Sequence, residues 1–174
     1  MNFENELAER LDRSQMMTLV DYVGDNSDRF EPLFEIFCFG PTRLAQRASW
    51  VVSNCVEKWP SLIEGKFEVL LKQIEEPTHA AIKRNAVRLL QFIDIPNEWQ
   101  GQIYQKCFDL AHSPKEAIAV RSFSLQVLFQ IARDQPFLLE ELEELLHDCA
   151  RSDSAGIISR VKNLRMKIAK INNR

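Results

Sequence analysis

Three pairs of residues in this chain have the spacing of metal ligands. Glu76/His79, Asp109/His112 and Glu144/His147 each place a carboxylate three positions before an imidazole. On facing helices of a bundle, Glu-x-x-His pairs hold two metal ions. Here the pairs fall near the ends of successive helical segments, so they are displaced from one another rather than convergent. A histidine near a helix C-terminus is also favoured by the helix dipole. The expectation is therefore no metal and no cofactor. Cys38, Cys55, Cys107 and Cys149 never form CxxC and sit among apolar neighbours, the pattern of reduced, buried thiols. Five glycines, with no GxGxxG and no GxxxxGKS, argue against an ordinary nucleotide-binding enzyme.

The other residues suited to chemistry are cationic. Arg47, Arg84, Arg121 and Arg160 recur at intervals of 37, 37 and 39 residues, with Lys83 competing for the second register. A recurrence of this length means a supersecondary unit repeated along the chain, each copy unable to bury its apolar face alone.

The prolines show what that unit is. Pro41, Pro77 and Pro114 form one lattice, and Pro60, Pro96 and Pro136 form another interleaved with it. Proline suits the first turn of a helix and stops the helix before it, so two lattices mean two helices per repeat. Segments 60–76, 96–113 and 136–152 carry apolar residues at helical spacing, for example Leu62, Phe67, Leu70 and Ile74. These are the first helices. Segments 42–58, 78–94, 114–134 and 154–174 are the second helices. They hold more apolar positions, with Ala and Ser near their starts and Thr, Ser or Pro at or near each cap. Helix breaks are expected near residues 40, 59, 77, 95, 113, 135 and 152.

The chain has 174 residues, 45% hydrophobic and 27% charged, enough for one continuous core. No apolar run reaches the roughly 18 residues that cross a bilayer, and the start MNFENELAERLDR lacks a signal core. The expected location is the cytoplasm, with no membrane partner.

AVRSFSLQVLFQIA (119–132) resembles the second helix of HEAT/armadillo-like repeats, in which a turn is followed by Val-Arg and then small and apolar residues. IKRNAVRLLQFI (82–93) and RLAQRASWVVSNCV (43–56) fit less closely. The resemblance covers about residues 28–171. It implies an all-α chain, a right-handed α-α superhelix (solenoid) of about four HEAT-like helix pairs with an N-terminal helical cap. One domain over 1–174 would then comprise a cap of about 1–27 and repeats of about 28–58, 60–94, 96–134 and 136–171. The family pattern also places an Asp about six residues before the Arg. The corresponding turns here offer Pro41, Thr78 and Lys115, with acids nearby at Glu116 and Asp153. Arg47 and Arg84 are therefore expected to lack that carboxylate partner.

The formal net charge of −3 conceals an asymmetry. The second helices carry 15 basic and 4 acidic residues, and the remainder 7 basic and 21 acidic. In solenoids of this kind the second helices line the concave face, so the resemblance implies a basic inner surface. Such a surface attracts acidic peptides, phosphate or nucleic acid. The same arginines also suit bonds to neighbouring turns and helix C-termini. Part of the charge on 154–174 is read as a solvated face that keeps the terminal repeat soluble. Trp50, Trp59 and Trp99 suit packing between helices. Trp50 also follows Arg47 by three, a position from which its ring would stack on a ligand.

The reading is a non-enzymatic interaction module, a scaffold whose basic face holds a protein or acidic peptide. Its residues are Arg43, Arg47, Trp50, Lys83, Arg84, Arg88, Arg121 and Arg160. The alternative is nucleic-acid binding, on the architecture of the HEAT-like alkylpurine DNA glycosylases. Those enzymes combine a basic groove with Trp and a catalytic Asp, and none of the second-helix motifs here places that Asp. The Ser loop of adenylosuccinate lyases, resembling GSSxMPxKxNP, has no counterpart.

Overall fold

The computed structural model describes residues 1–77, 79–152 and 154–173. Every regular element among them is helical. The chain divides into two compact units, Met1–Asp94 and Ile95–Arg174.

The first unit contains α1 (Phe3–Ala8), α2 (Arg13–Val23), α3 (Ser27–Phe39), α4 (Thr42–Lys58), α5 (Phe67–Glu75) and α6 (Ala80–Leu89). Residues 1–27 thus include a helix pair of their own, α1 and α2. Asp12 starts α2 with a reciprocal cap: Gln15 N–H donates to its carboxylate at 2.8 Å, and its own N–H donates to Gln15 Oε1 at 2.9 Å. Asn26 caps α3 through Arg29 N–H at 3.0 Å. Phe30, Leu33, Phe34 and Phe37 then form the buried stripe of α3, which packs on α4.

Helix α4 lies between α2 and α6, and α5 packs on α6. The small residues Ala45, Ala48, Ser49 and Ser53 on the buried side of α4 let those neighbours approach. The segments expected around it are shorter than their sequence periodicity. Residues 60–76 are not one helix: a 3-10 turn over Pro60–Ile63 is followed by Gly65 at φ +73°, and α5 begins at Phe67. Leu62 and Ile63 still reach the core. Helix α6 ends at Leu89 and continues only as a 3-10 turn to Phe92. Thr78, expected at its cap, lies outside the described residues; His79 Nδ1 accepts from Ala81 N–H at 3.1 Å.

The second unit contains α7 (Asn97–His112), α8 (Ile118–Ala132), α9 (Pro136–Cys149) and α10 (Ala155–Asn172). Helix α8 packs on α7, α9 and α10. Pro136 is the first residue of α9, as its lattice predicts. Pro114 is not the start of α8. A turn closed by Glu116 N–H on the Ser113 carbonyl at 3.3 Å holds it, Ala117 is extended, and the helix begins four residues late. Ser154 caps α10 through Ile157 N–H. Asp153 and Arg174, counted in the charge and turn analysis, lie outside the described residues.

Candidate functional site

Burial of one side of α4 dictates what its other side shows to solvent. Arg43, Gln46, Trp50 and Glu57 are exposed, at positions that share one helical face. Trp50 keeps 41% of its surface exposed, so it is not a core residue. Beside it on α6, Arg84 is exposed while Lys83 and Arg88 are half-buried.

The two helices are held together under this surface by polar contacts. Asn85 Nδ2 donates to Ser49 Oγ at 2.6 Å, and that hydroxyl donates to the Gln46 carbonyl at 2.7 Å. Ser49 and Asn85 are buried, so the chain of bonds satisfies groups that would otherwise be costly. Trp50 and Arg84, both exposed, are the sequence neighbours of this bonded pair, one on each helix. Farther along, Arg88 Nη2 lies 3.8 Å from Glu57 Oε2, with its guanidinium 5.2 Å from the Phe92 ring. At the other end Gln46 Nε2 lies 3.4 Å from His79 Nδ1. No described residue forms a hydrogen bond or ion pair with the side chain of Arg43 or Arg84.

The four periodic arginines have three different environments. Arg47 Nη1 donates to the carbonyls of Leu7 (2.7 Å) and Ala8 (2.6 Å) at the end of α1. Arg121 Nε donates to the Ala111 carbonyl at 3.0 Å, in the last turn of α7. Both satisfy carbonyls that a helix end leaves without partners. The missing family carboxylate therefore does not leave Arg47 unpartnered; backbone oxygens replace it. Arg160 reaches α8 instead, donating to Ser122 Oγ at 3.1 Å and Gln126 Oε1 at 3.0 Å, and burial lowers its pKa. Arg84 alone of the four is exposed. The structure brings Arg43, Arg47, Trp50, Lys83, Arg84 and Arg88 onto α4 and α6 of the first unit, and places Arg121 and Arg160 in the second.

The histidines are dispersed. His79 caps α6, His112 stacks on Phe108 with centroids 6.4 Å apart, and His147 lies in the last turn of α9. Among the described residues no three His, Cys, Asp or Glu side chains converge as metal ligands. All four cysteines are free and buried. Burial pushes the thiols of Cys38, Cys55 and Cys107 up to about 12 and raises that of Cys149. Protonated thiols of this kind are poor nucleophiles.

Sequence patterning missed Gln46, Asn85 and Ser49 as the residues that align α4 with α6. A polar residue inside an apolar stripe at both 49 and 85 was the available signal. It also missed the exposed apolar residues Ile158 and Met166 on α10, hidden among that helix's cations. No described helix is long and apolar enough to cross a membrane.

No curated protein sequence matches the chain. The HEAT repeat domain model matches residues 3–168, taking in both units and the helix pair α1/α2. HEAT repeats form scaffolds for protein interaction. By this match over nearly its whole length, the chain belongs to the HEAT repeat domain family.

Proposed function

We propose that this protein is a non-enzymatic interaction module that holds an acidic protein segment on the surface shared by α4 and α6. The observation that carries the reading is Trp50, an exposed indole on α4, with Arg43 two turns away on the same face and Arg84 exposed on the packed helix α6. An exposed aromatic with arginines around it is the composition of an interface anchor. The indole offers apolar area at low entropic cost. Each guanidinium offers a planar fork that matches a carboxylate. Gln46 and Asn54 on the same face supply amides for a peptide backbone.

The charge favours a peptide over a polynucleotide. Nucleic-acid affinity comes from neutralising many phosphates at once. On this surface Glu57 offsets Arg88, and Arg47 is engaged with carbonyls, which leaves Arg43 and Arg84 as the unengaged arginines. One indole and two unengaged guanidiniums on the surfaces of α4 and α6 fit a short acidic segment.

Titration with fluorescein-labelled Glu-rich peptides containing one aromatic residue, and with a single-stranded oligonucleotide, tests the choice. The expected result is peptide binding that weakens about tenfold in Arg84→Glu and is also impaired in Arg84→Lys. Tighter binding of the oligonucleotide, with a steep salt slope that shallows by about one per arginine removed, would favour a nucleic-acid ligand instead.

A further inference from the structure

Among the described residues helix α10 packs mainly on α8 and α9. Ile157, Val161, Leu164 and Ile168 form its buried stripe. One flank meets α8: Arg160 bonds Ser122 and Gln126, Lys167 sits 5.6 Å from the Phe129 ring, and Gly156 lies beneath Ile118. The opposite flank carries Ile158, Lys162, Arg165, Met166 and Ala169, and no described helix covers it. In the first unit α4 packs on α2, α3 and α6.

The open flank is not the polar surface that terminates a helical stack. Ile158 is 45% and Met166 52% exposed. With Val161, Ala169 and Ala150 they line a shallow groove of about 420 Å³, rimmed by Lys162 and Arg165. Helix α10 contains five cations and no carboxylate. No described residue forms an ion pair with Lys162, Arg165 or Lys170.

We propose that this flank docks an acidic amphipathic helix, which takes the place beside α10 that α8 takes on the other side. The groove accepts apolar side chains at helical spacing, and glutamates beside that stripe meet Lys162 and Arg165. The charge argues against a symmetric pair of α10 helices, which would set these cations against their own kind. This surface lies in the second unit and does not depend on the α4/α6 reading.

The test uses the full chain and a labelled peptide of about 18 residues, with Leu along one stripe and Glu on both sides of it. A version with Lys for every Glu and a scrambled version serve as controls. The Glu peptide should bind and the controls should not. Met166→Glu should weaken binding by about tenfold or more, and Lys162→Glu/Arg165→Glu should shift preference to the Lys peptide. Trp50→Ala/Arg84→Glu should leave all of this unchanged, which separates failure here from failure of the α4/α6 reading. NMR shift mapping on the wild type supplies a readout independent of any variant's folding, with perturbations expected on α9 and α10. Equal binding of Glu and Lys peptides, no effect of Met166→Glu in a folded variant, or perturbations centred on α4 and α6 would overturn the proposal. So would a wild-type dimer that Met166→Glu dissociates, because the occupant would then be a second copy.

Discussion

Arg47 and Leu7 are 40 residues apart and joined by a 2.7 Å hydrogen bond from guanidinium to backbone carbonyl, with Ala8 accepting from the same nitrogen. Arg121 makes the same kind of bond to Ala111. In both, a side chain near the start of a second helix closes the end of a first helix. Arg47→Ala and Arg121→Ala should each lower stability by about 1–3 kcal/mol, since a charged donor to a helix-end carbonyl is lost, and the Ala111 carbonyl keeps only the weak Cys149 Sγ donor at 3.8 Å. Arg84→Ala should change stability by less than about 0.5 kcal/mol. Urea unfolding midpoints for the three variants check the contrast.

The buried pair Ser49 and Asn85 makes a second prediction. Ser49→Ala leaves the Asn85 amide without its acceptor and should cost about 1–3 kcal/mol. In Ser49→Ala/Asn85→Ala both partners are gone, so the loss should be smaller than the sum of the single losses. A double-mutant cycle read by urea melts gives the coupling. Additivity within error would mean that the bond does not align α4 with α6.

Much of the architecture was legible because proline and apolar spacing are local. The boundaries of α4, α7 and α9 lie within a few residues of those the lattices imply. The misses have one cause, that a turn overrides periodicity. Gly65 at φ +73° breaks 60–76, and the turn at Pro114 delays α8. The site was less legible. Periodicity put four arginines in one class, but their partners, namely the α1 carbonyls, Ala111, and Ser122 with Gln126, are fixed by packing across elements that no single segment encodes. Sequence favours core packing over ligand contact for Trp50, and the buried stripe of α4 leaves the ring 41% exposed instead.

Gly65 itself is testable. A Cβ there would meet nothing within 4 Å, so Gly65→Ala carries only the backbone cost of a positive φ. That should be about 1 kcal/mol, and Gly65→Asn should cost less. Thermal melts of the two variants rank them.

Alkaline pH should destabilise the protein steeply. Unfolded thiols ionise near their ordinary 9.0, whereas burial makes Cys38, Cys55 and Cys107 in the folded chain hold their protons to about 12. Their folded pKa values are raised, so their contribution is complete below pH 9 and falls away between pH 9 and 12. Each such thiol loses about 1.4 kcal/mol per pH unit in that window. Cys107→Ala should flatten the decline. Ellman's reagent should react slowly with native protein and with four thiols after denaturation.

On the proposed function, Trp50, Arg43 and Arg84 act in recognition while Arg47 acts in folding. The most direct measurement compares wild type with Arg43→Glu/Arg84→Glu and with Trp50→Ala, scoring the urea midpoint and the proteins retained from native cells separately. Stabilities within about 0.5 kcal/mol of wild type and loss of the proteins that wild type retains are expected. The same proteins retained by folded variants, or a loss of stability that accounts for their release, would contradict it.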